Sequence, residues 1–135
     1  HTIRHIINDD AKWRSILQGL NAEFWHQTVT TQQIESYISN NAGIDLSKVF
    51  DQYLRTTQIP KLELRWDKDN TRVSYRWANC VNGFDMPLVL QNGTAKVKIT
   101  PKEQWQQLAL KANEAPLLDT AAIVKMYYVT TAIVN

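Results

Sequence analysis

The feature that most constrains this chain is a change of hydrophobic period at Pro60. Before it, apolar side chains recur every three or four positions, the spacing of one helix face; after it they alternate, the spacing of one strand face. A segment patterned for a helix cannot be laid down as a strand without exposing much of its apolar set. The 135 residues are therefore expected to form helices and then a sheet, as one ordinary domain or two small pieces sharing a core.

In the first part, Asp10 is placed to cap a helix whose apolar face is Trp13, Ile16, Leu17, Leu20 and Phe24. Thr30 with Gln33 forms a capping box before Ile34, Tyr37, Ile38 and Ala42, and Gly43 is the natural stop. Asp45 opens a third helix with Leu46, Val49, Phe50, Tyr53 and Leu54 inward, which the Ile59-Pro60 pair forbids from continuing. Ile3, Ile6 and Ile7 read as the tail of an earlier helix.

Beyond Pro60, Leu62, Leu64 and Trp66 share one strand face, and Val73, Tyr75 and Trp77 another. Met86, Leu88 and Leu90 lead to Asn92-Gly93, a tight-hairpin signal, and then to Ala95, Val97 and Ile99. Trp105, Leu108 and Leu110 mark a further strand, as does the β-branched run from Ile123 to Val134. The expected fold class is α+β: three to four helices over residues 1–60, then an antiparallel β-sandwich of about seven strands over 61–135.

Composition excludes several function classes. A hydrophobic share of 44% with five tryptophans argues for a packed domain, and a net charge of +2 is too small for a nucleic-acid surface. No apolar run is long enough to span a bilayer, and the opening HTIRHIINDD lacks the pattern of a signal peptide. The start in mid-pattern without methionine leads to the expectation of a piece cut from a longer polypeptide. A single cysteine, Cys80, leaves no internal disulfide and no multi-cysteine zinc site.

His1 and His5 stand one helical turn apart, a spacing two zinc-binding imidazoles can share, with Asp9 a turn further on. Thr2, however, occupies the position where the His-Glu-x-x-His motif needs its general base, so the favoured reading is no metal site, with His1 frayed and His5 a partly buried helix residue. Ser15, Ser36, Ser39, Ser47 and Ser74 lie in no nucleophile elbow, and Cys80 reads as a structural thiol. Asp67 and Asp69 read as turn residues. Trp66 and Trp77 are read as core, with an exposed stacking platform as the alternative; Trp13 and Trp25 are read as interface residues. Asn92 to Thr94 is formally a glycosylation sequon, which a hairpin turn explains equally well. The sequence thus assigns no catalytic, cofactor-binding or metal-ligating residue.

The segment from Trp25 to Leu64 carries, in order, Thr30-Thr31, then Gly43, Asp45, Leu46 and Ser47, then Phe50, Asp51, Gln52 and Leu54, then Pro60, Leu62, Glu63 and Leu64. This series resembles the end of the catalytic domain in zinc aminopeptidases of the aminopeptidase N family, where a capped Thr-Thr helix leads through Gly-x-Asp-Leu-Ser and Phe-Phe-Asp-Gln-Trp-Leu to a proline and a Leu-Glu strand. The opening HTIRHIINDDAKWRSILQGL is similar to the segment after the family's catalytic tyrosine, and FDMPLVL (Phe84 to Leu90) and Trp105 after Pro101 echo its sandwich. Tyr53 stands where the family usually has tryptophan, and RTTQIP lacks the usual glycine.

The resemblance implies that residues 1–60 complete a thermolysin-like catalytic domain and that 61–135 form an immunoglobulin-like sandwich. It further implies a zinc-dependent parent acting on peptides, with the zinc ligands, the Gly-x-Met-Glu-Asn strand and the catalytic tyrosine all upstream of His1. The partners so implied are the upstream catalytic domain and, for the parent, a peptide substrate. Many members also carry a long helical domain after the sandwich; its absence suits the family's short form. The chain alone is then expected to be inactive. The alternative from another class is a free-standing sandwich that binds protein or carbohydrate through exposed aromatics.

Overall fold

The computed structural model describes residues 1–69, 71–92, 95–109 and 119–134. Four helices come first: α1 (Thr2–Ile7), α2 (Asp10–Glu23), α3 (Thr31–Ala42) and α4 (Ser47–Arg55). The strands β1 (Lys61–Trp66), β2 (Arg72–Ala78), β3 (Leu88–Asn92), β4 (Ala95–Ile99) and β5 (Gln106–Ala109) follow, then helix α5 (Thr120–Met126) and strand β6 (Thr130–Ile133). The class is α+β, with the change from helix to strand at Pro60.

Local chemistry explains the helix limits. Thr30 Oγ1 accepts from the Gln33 amide while Gln33 Oε1 accepts from the Thr30 amide, so two orphan donors at the start of α3 are satisfied reciprocally. Gly43 ends α3 in the left-handed region at φ 71°, a conformation that costs glycine little. The cap of α2 is Asp9, whose Oδ1 accepts from the Lys12 amide; Asp10, the expected cap, is the first helical residue and forms a two-bonded pair with Arg4 instead. Leu46, not the expected Asp45, is the cap residue of α4; Asp45 accepts from the Ser47 amide, and hydrogen bonding by the Ser47 hydroxyl, then by that amide, pulls its carboxyl below the usual range. Gly19 lets α3 approach α2, since a Cβ there would meet the Tyr37 hydroxyl.

Among the described residues six strands form a four-stranded sheet ordered β5-β2-β1-β6 and a two-stranded β3-β4 hairpin. The sheets depart from expectation in two respects. The β1–β6 pair is parallel, so the larger sheet is mixed rather than antiparallel. Residues 123–126, the start of the Ile123 to Val134 run read as strand from its β-branched content, belong to the helix Thr120–Met126. The signal overlooked is Asp119, four positions before Ile123, whose carboxylate accepts from the Ala122 amide; burial of Ile123 then secures one helix face.

Alternation elsewhere holds. Leu62 faces Trp77, Leu64 faces Tyr75 and Trp66 faces Val73 across β1–β2, and all but the half-buried Trp66 are buried. Leu88 and Leu90 face Ile99 and Val97 across the hairpin, with Asn92 opposite Ala95; Gly93 lies outside the described residues. The third expected strand begins at Gln106 rather than Trp105, includes Leu108, and approaches Leu110, which is also outside them.

One core joins both parts: Ile6, Ile16, Ile38, Leu46, Val49 and Phe50 belong to the same buried cluster as the sheet residues. Two residues expected inward are not, Leu17 and Leu54, which are 43% and 58% exposed.

Candidate functional site

The residues that carry the family resemblance converge on the joint between helices and sheet. Gln52, on α4, is fully buried. Its Oε1 accepts from the Val81 amide at 2.7 Å, and its Nε2 donates to Gln58 O at 2.8 Å and Thr56 Oγ1 at 3.2 Å. One side chain thereby satisfies the loop after β2 and the linker into β1, groups that burial would otherwise leave unpaired. Beside it, the Tyr53 hydroxyl donates to Tyr128 O at 2.8 Å, and burial, with Tyr128 nearby, holds its pKa well above the ordinary tyrosine value.

Other motif residues extend the joint. Arg55 makes a two-bonded pair with Glu35 of α3 and a single bond to Asp51, locking α3 to α4. Glu63 accepts from its cross-strand partner Arg76 at 2.6 Å on the outer face of the sheet. The Pro60 carbonyl accepts the Thr130 amide, and Asn79, at φ 52°, donates to the Ile59 carbonyl. These are positions a folding joint needs, and they bring no nucleophile and base together.

The residues considered for chemistry are placed as follows. His1 is not frayed: its ring nitrogen lies 3.0 Å from Lys125 O, and its ring meets that of His5 edge-on with centroids 4.5 Å apart. Asp9 is engaged as the α2 cap, so the three do not assemble. Among the described residues no group of three His, Cys, Asp or Glu side chains is placed to hold a metal ion. Cys80 is half-buried, and burial, aided by Glu103, pushes its thiol up to about 11, which leaves it unreactive at neutral pH. Asp67 holds the turn after β1 by accepting from the Thr71 and Arg72 amides and the Thr71 hydroxyl. Burial alone would raise its pKa, but these bonds outweigh it and lower the value.

Trp77 is 1% exposed, with Nε1 donating to Met86 O and its ring edge-on to Phe84, and cannot serve as a stacking platform. Trp25 is 69% exposed, whereas Trp13 is half-buried. Sequence reasoning missed two features. Trp105 lies under two guanidinium groups, Arg65 and Arg76, each 4.7 Å from its ring centroid. The second is a cleft between α1 and the β3–β4 hairpin, with His5, Asn8, Lys96 and Lys98 at its polar positions. Both are assembled from residues far apart in the chain, which no local pattern announces.

Compared with known families and curated proteins, the chain matches no family model and no curated sequence. Among the described residues no helix is long and apolar enough to cross a membrane.

Proposed function

We propose that this chain is the C-terminal, non-catalytic portion of a zinc aminopeptidase of the aminopeptidase N type. In this reading, residues 1–60 are the last helices of a thermolysin-like catalytic domain, and residues 61–135 are an immunoglobulin-like β-sandwich of about seven strands that braces it. The parent removes amino-terminal residues from peptides with zinc, and these residues act as scaffold.

The observation that carries the reading is the run from Thr30 to Leu64. Its capped helix, glycine stop, buried Gln52 and first strand form one continuous joint, so the motif has a structural reason to persist where catalytic residues are absent. The exposure of Leu17 and Trp25 on the α2 side also supports the reading, because an upstream domain would cover apolar surface there.

Immunodetection of the natural product in its source cells tests it. A species several times larger than 15.6 kDa is expected. One near that mass would overturn the proposal and bring forward the free-standing binding module for protein or carbohydrate. The 135-residue chain itself is expected to show no aminopeptidase turnover with added zinc; zinc-dependent turnover that copurifies with it would contradict the scaffold role.

A further inference from the structure

The cleft between α1 and the β3–β4 hairpin has a volume of about 290 Å³, at the small end of ligand pockets. Its walls are chemically divided. Ile7, Pro87 and Val89 give it an apolar side, while Lys96 and Lys98 stand at its rim, two apart on β4 and so on one face of the strand. Tyr127, which is buried, helps line it and is fixed there by the Val89 amide, which donates to its hydroxyl at 3.1 Å.

Among the described residues the charges around the cleft are one-sided, and no acidic side chain lines it. Asp10 is close enough for the charge of His5 to lower its pKa, but its carboxylate is occupied by Arg4 at 2.8 and 2.9 Å. His5 is held between the rings of His1 and Tyr127, with centroids 4.5 and 6.1 Å away, which orients its imidazole without supplying a carboxylate. The carbonyl end of the short helix α1 opposes the field of the lysines only weakly, because its cap amide returns to Arg4 O.

We propose that this cleft binds a small amphiphilic carboxylate, with the anion between Lys96, Lys98 and His5 and a short apolar stem against Ile7, Pro87 and Val89. A carboxylate suits it better than a phosphate. Lys96 and Lys98 outweigh one negative charge without His5, and the side chains of Ile7, Pro87 and Val89 offer no donors to the further oxygens of a phosphate while they suit an apolar stem. The inference is independent of the aminopeptidase reading, since it concerns only residues within this chain.

Nuclear magnetic resonance titration of the 135-residue chain with hexanoate, hexanamide, acetate and inorganic phosphate tests it. Hexanoate is expected to shift the His5 ring and Val89 amide signals saturably. Its affinity should exceed that of hexanamide about tenfold through the lost charge, and that of acetate about tenfold through the partly covered stem. The exposed pair Lys96→Gln and Lys98→Gln, made together, should weaken hexanoate roughly tenfold while leaving the remaining amide spectrum in place. Shifts that do not saturate, hexanamide binding as well as hexanoate, or acetate or phosphate matching it would each overturn the proposal. The ligand comparison on the unaltered chain decides even if the double variant fails to fold.

Discussion

Helices α1 to α3 and the larger sheet bury their apolar side chains to different depths. On those helices the buried residues are Ile6, Ile16, Ile38 and Ala42, while Leu17 of α2 and Trp25, just beyond its end, are exposed. In the sheet Leu62, Leu64 and Val73 are wholly inaccessible, and Trp77 nearly so. The first three helices are defined mainly by caps and local pairs, the sheet by partners distant in sequence. Helix α4 belongs to both, since Gln52 and Tyr53 tie it to the strands and Arg55 ties it to α3.

The contrast can be broken most directly in the sheet. Trp77→Ala empties the largest fully buried site and removes the bond to Met86 O, and is expected to cost about 3–5 kcal/mol in urea unfolding. Leu17→Ala, at a residue 43% exposed, is expected to change stability by no more than about 0.5 kcal/mol. Equal costs would mean that the helices are packed as deeply as the sheet.

Next in size is the joint. Gln52→Leu leaves the Val81 amide and the Gln58 carbonyl without their partner, a loss of about 2–4 kcal/mol. It should also part the two transitions: far-ultraviolet helix signal is expected to fall at lower urea than the fluorescence of Trp77. A single coincident transition in the variant would show that the shared core alone couples the parts.

How much of this was legible in sequence follows from the same contrast. Thr30, Gln33 and Gly43 act within a few residues of themselves, so the limits of α3 could be read directly. Alternation from Leu62 to Trp77 was equally clear because one face is buried throughout. Asp10 was expected as the cap of α2, but its neighbour Asp9, of the same chemistry, takes that place while Asp10 pairs with Arg4. Helix α5 was hidden because its β-branched content favours strand, while Asp119, which decides the matter, lies outside the run. The parallel β6, the stacking of Trp105 and the cleft beside His5 depend on tertiary neighbours that periodicity does not encode. The bond from the Tyr53 hydroxyl to Tyr128 O likewise joins residues 75 positions apart.

A smaller effect isolates the helical side. Thr30→Ala removes the acceptor for the Gln33 amide and is expected to cost about 1 kcal/mol, read as faster amide exchange in the first turn of α3 with the sheet unaffected. Exchange that quickened equally in β1 would show that α3 does not open by itself.

The smallest perturbation uses the native chain, with Cys80 reporting on the strand side. Burial raises this thiol from 9.0 to about 11, so at pH 8 the folded chain holds roughly a hundredfold less thiolate than an unfolded one. Alkylation by iodoacetamide should therefore be slow at pH 8 and rise about tenfold per pH unit toward 11, in proportion to thiolate. Because the folded value is the higher one, the stabilisation is present in full below pH 9 and is lost as pH climbs through about 11. In Gln52→Leu, whose lost bond to the Val81 amide adjoins Cys80, alkylation at pH 8 should quicken. In Thr30→Ala it should stay at the native rate, because the cap acts only on α3. An equal rise in both variants would mean that the helices and the strand loop open as one unit, and that the difference in burial does not carry over into dynamics.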